Sequence, residues 1–276
     1  MIAFVQVIFY GNYWIALAAL CMTCQTQYLL TGHFEVGSPA ALFLFFGTLF
    51  IYSVHRLYGL YALNLPKDSL YGKFAFLLKI NTGFAAVAGS VCWFQLPEAA
   101  RWQALAPCAL ALAYILPVLP GRRRLREVAM LKIFLLAICW AWLTVIVPAV
   151  AGGMGWSVVA PIMLLERAAF IFAIALGFDL RDRQRDQEAG LATLPVKFGE
   201  RASVLCAAVS LLFAWGIAWL FTSANVYPTA AFYSTGVSGF CAMVLISRSG
   251  RNSLSPYCFL FGLDGLMILQ FLLIIL

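Results

Sequence analysis

Long apolar runs separated by short polar links make up the chain. The runs lie at about 13–30, 39–60, 73–94, 102–119, 130–150, 157–178, 202–221, 230–246 and 257–276. Each approaches the ~20 residues that a helix needs to cross hydrocarbon, so the pattern predicts nine transmembrane helices. The apolar residues ahead of the first run are either an interfacial segment or extra length in a tilted helix. No link is long enough for a separate soluble domain, so residues 1–276 read as one all-α, polytopic membrane domain.

Composition agrees with the pattern. Of 276 residues, 64% are hydrophobic and the mean hydropathy is +0.93, against about 45–50% apolar residues in a soluble globule. The net charge of +7 is not a nucleic-acid signature, because the basic residues are spread over short links. The links after the second, fourth, sixth and eighth runs hold Lys67, Arg122, Arg123, Arg124, Arg126, Arg181, Arg248 and Arg251 among others, while the alternate links hold only Arg101. That asymmetry places the N-terminus and the link after the sixth run in the cytoplasm, and the expected location is a bacterial inner membrane. The N-terminus has neither a basic leader nor a small-residue cleavage site, so it reads as mature sequence. The Cys21/Cys24 pair lies inside a predicted span with no second pair nearby, which favours small packing residues over a zinc or redox site.

The densest charge follows the sixth run, in Phe178 to Gly199, FDLRDRQRDQEAGLATLPVKFG. Asp179, Asp182 and Asp186 are spaced i, i+3 and i+7, within about 60° of one helix face. Gly190 reads as a helix stop and Thr193-Leu194-Pro195 as the turn after it. Two readings fit: a charge-balanced solvated helix, or a site for a hard divalent ion, which takes one or two carboxylates plus phosphate oxygens and water.

The pattern DxxDxxxD followed by EAGxxTLPVKFG resembles the second aspartate-rich motif of the UbiA superfamily of intramembrane prenyltransferases. The resemblance implies a ring of about nine helices around a lipid-accessible cavity, capped by cytoplasmic loops. It further implies Mg²⁺-dependent transfer of a prenyl group from its diphosphate to an aromatic or other lipophilic acceptor. On that reading Asp179, Asp182 and Asp186 are the metal ligands and catalytic residues, and Arg183 and Lys197 offset the diphosphate charge. Tyr114-x-x-Pro117, ahead of the arginine-rich loop, resembles the family's Tyr-and-Pro segment, and Lys132 begins the fifth run within reach of the cap.

The resemblance fails at the family's first motif, N-D-x-x-D-R-x-x-D. Here the stretch is Ile51-Tyr52-Ser53-Val54-His55-Arg56-Leu57-Tyr58-Gly59, with Tyr52, His55 and Gly59 where acids would stand. Arg56 and a protonated His55 either contact a diphosphate or anchor the helix end at the headgroups. A chain lacking one acidic motif also fits a non-catalytic protein that binds a lipid, quinone or pigment, or a scaffold for a partner. Three further charges, Glu166, Arg167 and Asp264, fall near mid-span, where a charge needs a partner or a water-filled cavity. Matching depth predicts that Arg167 pairs with Asp264, and a role in deprotonating the acceptor is the alternative. Lys79 either snorkels to the cytoplasmic face or points into the cavity.

Overall fold

In a computed structural model the structure describes residues 2–62, 70–122, 124–128, 130–249 and 258–276. The expected links around Lys67 and Asp68, Arg123 of the arginine-rich loop, Arg251 and the start of the ninth run at Tyr257 lie outside the described residues.

Thirteen α-helices appear among the described residues. In chain order they are α1 (Ile2–Tyr10), α2 (Tyr13–Thr31), α3 (Pro39–Ala62), α4 (Leu70–Lys73), α5 (Ala75–Gln95), α6 (Glu98–Ile115) and α7 (Leu131–Ala141). Then come α8 (Val147–Ala151), α9 (Val159–Arg181), α10 (Arg183–Glu188), α11 (Leu194–Ser223), α12 (Thr229–Ser249) and α13 (Asp264–Ile275). A π-helical turn, Trp142–Ile146, joins α7 to α8, and another, Cys258–Leu263, leads into α13.

Every expected apolar run is helical among the described residues, but not every one has the length and hydropathy of a span there. Among the described residues six segments are long and apolar enough to cross a membrane: α3, α5, Leu131–Ala151, α9, α11 and α12. A seventh is the α1–α2 pair, if two helices bent by 65° count as one span. Helix α6 is not among these spans; it includes Glu98 and Arg101 and has Pro107 in its interior. The last apolar helix, Phe261–Ile275, is shorter than the rest.

The bend between α1 and α2 has a local cause. Asn12 adopts a left-handed conformation, φ 67°. A Cβ on Gly11 would meet the Val7 carbonyl at 2.5 Å and the Tyr13 ring at 2.7 Å, so only glycine fits there. Asn81 on α5 braces the break, donating to the Gly11 carbonyl at 2.8 Å and accepting from the Tyr13 hydroxyl at 2.7 Å.

The helices close into a ring. Neighbours pack in the order α2, α3, α6, α7, α9, α11, α12, α13 and back to α2, while α5 packs outside on α3. Small residues allow this closeness: Ala16, Ala18 and Ala19 on α2 and Ala173 on α9 are fully buried. Large apolar side chains such as Phe76, Phe84 and Phe94 on α5 and Phe240 on α12 face outward, as they would against lipid tails. Asp179 and Lys132 are thereby brought to the same end of the ring on adjoining helices, α9 and α7.

The mid-span charges do not pair as depth suggested. Arg167 donates to the Met22 carbonyl at 3.0 Å and to the Thr26 hydroxyl at 3.5 Å, both on α2. Glu166 accepts from the Tyr227 hydroxyl at 3.0 Å. The Thr26 hydroxyl in turn donates to the Thr144 carbonyl in the π-helical turn, at 2.7 Å. Depth along a helix fixes height but not azimuth, and Arg167 faces α2 while Asp264 faces the cavity. Lys79 lies over the ring of Tyr61, 5.0 Å from its centroid, and is not among the residues lining the cavity.

Candidate active site

A cavity of about 310 Å³ opens inside the ring. Its apolar walls include Trp14, Ile51, Leu136, Ile174 and Met267, and its polar groups are Tyr52, His55, Arg56, Tyr114, Arg126, Lys132, Asp179, Arg181, Asp182 and Asp264. A second cavity of about 390 Å³, almost wholly apolar in its lining residues, meets the first at Ile51, Tyr52, Ala111, Cys139 and Trp140.

The aspartates come from a helix that breaks. Asp182 sits between α9 and α10 at φ −88°, ψ 4°, which ends the regular turn. Asp179, on the last turn of α9, and Asp186, on α10, nevertheless converge on one ammonium. Lys132 Nζ lies 2.6 Å from Asp179 Oδ1 and 3.7 Å from Asp186 Oδ2. Both carboxylates are buried, and Asp186 Oδ2 accepts no hydrogen bond.

Asp182 departs from the expected three-carboxylate cluster. Its two oxygens accept from Arg181 Nε and Nη2, each at 2.8 Å. Arg181 itself lies over the rings of Phe178 and Phe259. Lys132 and Arg181 thus divide the three acids into a pair and a single. Among the described residues no three His, Cys, Asp or Glu side chains converge to hold a metal by themselves. The donor set still fits Mg²⁺ arriving with a diphosphate, because two carboxylates suffice when phosphate oxygens and water complete the shell. The unsatisfied Asp186 Oδ2 is the buried acceptor such an ion would fill.

The basic groups form the rest of the polar mouth. Arg126 Nη1 donates to His55 Nε2 at 2.8 Å. Arginine has no acceptor, so this bond makes Nε2 the acceptor and the ring neutral, with its proton on the buried, unpartnered Nδ1. That corrects the expectation of a protonated His55. Arg126 also lies over the Tyr114 ring, 5.9 Å from its centroid. Arg56 Nη1 donates to the Phe9 and Tyr10 carbonyls, at 3.4 and 3.3 Å, where α1 ends. It therefore lines the cavity and caps a helix C-terminus at once.

Two expected substrate contacts fall elsewhere. Lys197 is exposed and lies over the Phe198 ring, outside the cavity lining. Arg183 is half-buried at the start of α10, also outside the lining. For Lys197 the cause is the chain's path after α10. Gly190 ends that helix with φ 68°, as expected, but Leu194 and Pro195 begin α11 instead of forming a turn. Arg124 likewise stays in its loop, bonded to Glu127 and lying over the Tyr58 ring.

The family model for UbiA prenyltransferases matches residues 63–263. The chain belongs to the UbiA prenyltransferase family. The match begins just after the stretch Ile51 to Gly59, where the acids are missing. No curated protein sequence matches the chain. Among solved structures, a digeranylgeranylglyceryl phosphate synthase is 14% identical, with a TM-score of 0.64, covering 100% of this chain and 98% of that one. A UbiA homologue from Aeropyrum pernix K1 is 14% identical, with a TM-score of 0.63 over 97% of this chain and 96% of its own. One from Archaeoglobus fulgidus, bound to GPP and Mg²⁺, is 13% identical, with a TM-score of 0.60 over 98% and 99%. At such identities the likeness establishes the UbiA fold, an integral multi-pass helical ring.

Sequence reasoning about this UbiA chain missed two cavity partnerships, Arg181 with Asp182 and Arg126 with His55, and it singled out Asp264 but matched it with Arg167 instead of placing it on the cavity wall. Asp264 carried a signal, a charge at mid-span. The pairings of Arg126 and Arg181 carried no signal, since both sit among other basic residues of their links.

Proposed function

We propose that the protein is an intramembrane prenyltransferase that moves a prenyl group from its diphosphate to a lipophilic acceptor. The observation that carries this reading is a cavity whose walls are largely apolar and whose mouth gathers Lys132, Arg126, Arg56 and His55 beside the Asp179–Asp186 pair. The prenyl chain lies along the apolar walls and extends past Tyr52 and Trp140 into the second cavity. The diphosphate lies at the mouth, under the cytoplasmic loops. Binding of prenyl diphosphates and Mg²⁺ by homologous structures supports the same assignment.

Mg²⁺ bound with the diphosphate would be held by Asp179 and Asp186, and would offset charge on the leaving group. The chain's own residues do the rest. Arg126 and Arg56 donate to phosphate oxygens, and Tyr114 is a further donor at the mouth. Lys132 keeps the two carboxylates from repelling each other and offers its ammonium to the diphosphate. The apolar walls exclude water from the allylic cation that forms when the C–O bond opens.

A second reading, a non-catalytic lipid or quinone binder, is favoured by one observation: Lys132 already compensates the two acids. Purified protein incubated with radiolabelled geranyl diphosphate decides between them. Mg²⁺-dependent binding, abolished by chelation and by Asp186→Ala, is expected. Arg56→Ala should weaken it by about 1–3 kcal/mol, the scale of a charge-assisted hydrogen bond. A parent protein that binds no geranyl diphosphate in Mg²⁺ hands the case to the second reading.

A further inference from the structure

The ammonium of Lys132 stands where a cation between two carboxylates would stand. It lies 2.6 Å from Asp179 Oδ1 and 3.7 Å from Asp186 Oδ2. The first contact is a charge-assisted hydrogen bond and the second only an ion pair, so Asp186 Oδ2 is buried without a hydrogen bond. Asp179 and Asp186 are 4% and 9% exposed. A divalent ion at this pair therefore meets the ammonium at contact distance, with little water to screen two like charges. The other cations of the cavity wall are engaged elsewhere. Arg181 holds Asp182, Arg126 holds His55, and Arg56 holds the carbonyls that end α1.

The ammonium has room to leave the pair on one side. Toward the link between α10 and α11, Lys132 and Asp179 border a pocket of about 10 Å³ with Glu127 and Thr193, room for about one water. On the other side the same two residues border the central cavity of about 310 Å³, beside Tyr114 and Arg126. That is the side on which the proposed diphosphate lies. Lysine carries a compact charge on a flexible stem, so it can follow an anion in a way that an arginine fork locked to one partner cannot.

We infer that Lys132 holds the place of the divalent ion in the resting site, and that the acid pair takes the ion only when a diphosphate draws the ammonium away. The inference rests on the proposed function for its diphosphate, but not for the exclusion of the ion. No covalent bond changes. The ammonium exchanges two carboxylates for phosphate oxygens, which frees Asp179 and Asp186 as ligands. Mg²⁺ is commonly bound through one or two carboxylates plus substrate phosphates, so the freed pair and the diphosphate supply together what neither supplies alone. Lys132 is thus a positioning residue, and its effect is a coupling between two ligands. Diphosphate raises the affinity for the ion, and the ion raises the affinity for diphosphate by the same factor.

The test uses the full chain in nanodiscs and reads metal binding, not turnover. Mn²⁺ is the probe, because the EPR signal of the free ion falls as it binds. In the parent, Mn²⁺ alone should bind about 10- to 100-fold more weakly than Mn²⁺ with geranyl diphosphate, the usual scale of a coupling. Lys132→Met, of similar length and without charge, should bind Mn²⁺ alone about 10- to 100-fold more tightly than the parent. Asp186→Asn added to that variant should remove the gain. Lys132→Gln is a second neutral variant, and Lys132→Arg, which keeps the charge, should exclude Mn²⁺ as the parent does. A parent that binds Mn²⁺ as tightly without geranyl diphosphate as with it overturns the inference, and this readout needs no variant. Geranyl diphosphate binding with no gain in Mn²⁺ affinity in either neutral variant overturns it while leaving the proposed function standing. A parent that binds no geranyl diphosphate, beside neutral variants that gain a Mn²⁺ site, sinks the prenyl-transfer reading and keeps Lys132 as the occupant of the ion's place.

Discussion

At the scale of single residues, Lys132 decides the charge state of the site. Its ammonium lies between two buried carboxylates that would otherwise repel. Removing one partner of a buried charge cluster leaves the others uncompensated, at a cost of about 3–5 kcal/mol. Lys132→Met should therefore lower the Tm in chelator, and added Mg²⁺ should raise the variant's Tm by more than the parent's. Equal Tm values in chelator would show that the ammonium is not what compensates the pair. Glu127 offers a pH handle outside the spans. Burial pushes its carboxyl up, but the Arg124 backbone N–H, the Arg124 guanidinium and Arg126 outweigh burial and hold it below its ordinary value of 4.5. A depressed folded value means that the loop's stability is fully present above about 4.5 and fades as pH falls through the lower folded value. Amide protection over Leu125–Glu127, taken relative to the intrinsic exchange rate at each pH, should fall below pH 4.5 in the parent. Glu127→Gln, which keeps an acceptor but has no proton to gain, should show no such fall.

Helices in this molecule are organised by where they break. Gly11 and Asn12 turn α1 away from α2 by 65°, which brings the Phe9 and Tyr10 carbonyls to Arg56 and Phe9 to the cavity wall. Asn81 ties that corner to α5 through two hydrogen bonds. Asn81→Ala should destabilise the fold by about 1–3 kcal/mol, because it strands the buried Gly11 carbonyl. Gly11→Ala should cost a similar amount, since a Cβ 2.5 Å from the Val7 carbonyl forces the backbone to move. Unfolding in mixed micelles measures both, and a parent-like Gly11→Ala would mean that the corner yields easily. The break at Asp182 works differently. It separates α9 from α10, so Asp179 and Asp186 share Lys132 while Asp182 turns to Arg181.

For the whole molecule, the ring of helices makes a cavity with one charged end. Its polar groups come from α3, α6, α7, α9, α13 and the loop of Arg126, so no single segment carries the site. The asymmetry of basic links predicts on which side of the membrane that charged end lies. A single cysteine placed at Arg185, exposed on α10, in a chain without other reactive thiols, should react with a membrane-impermeant maleimide only from the cytoplasmic side. One placed at Glu35, in the link between α2 and α3, should react only from the opposite side. Labelling of both from one side would reverse the argument from basic links.

The amino-acid sequence determined what short-range chemistry can specify. Runs of apolar residues must be helical in hydrocarbon, because no other local structure satisfies every backbone group there; the nine expected runs are helical among the described residues, where up to seven segments meet the length and hydropathy of a span. The aspartate spacing, the stop at Gly190 and the missing acids between Tyr52 and Gly59 were equally local. What tertiary structure decided was which charge meets which. Spacing put Asp179, Asp182 and Asp186 on one ideal face, but the break at Asp182 and the neighbouring Arg181 removed one of them, and Lys132 from α7 claimed the other two. Depth matched Arg167 with Asp264, but each helix's rotation turned Arg167 to Met22 and Thr26 and left Asp264 on the cavity wall. Charge pairing in a ring of helices depends on azimuth and on which helices are neighbours, and both are set by packing across the whole bundle, which no stretch of sequence contains by itself.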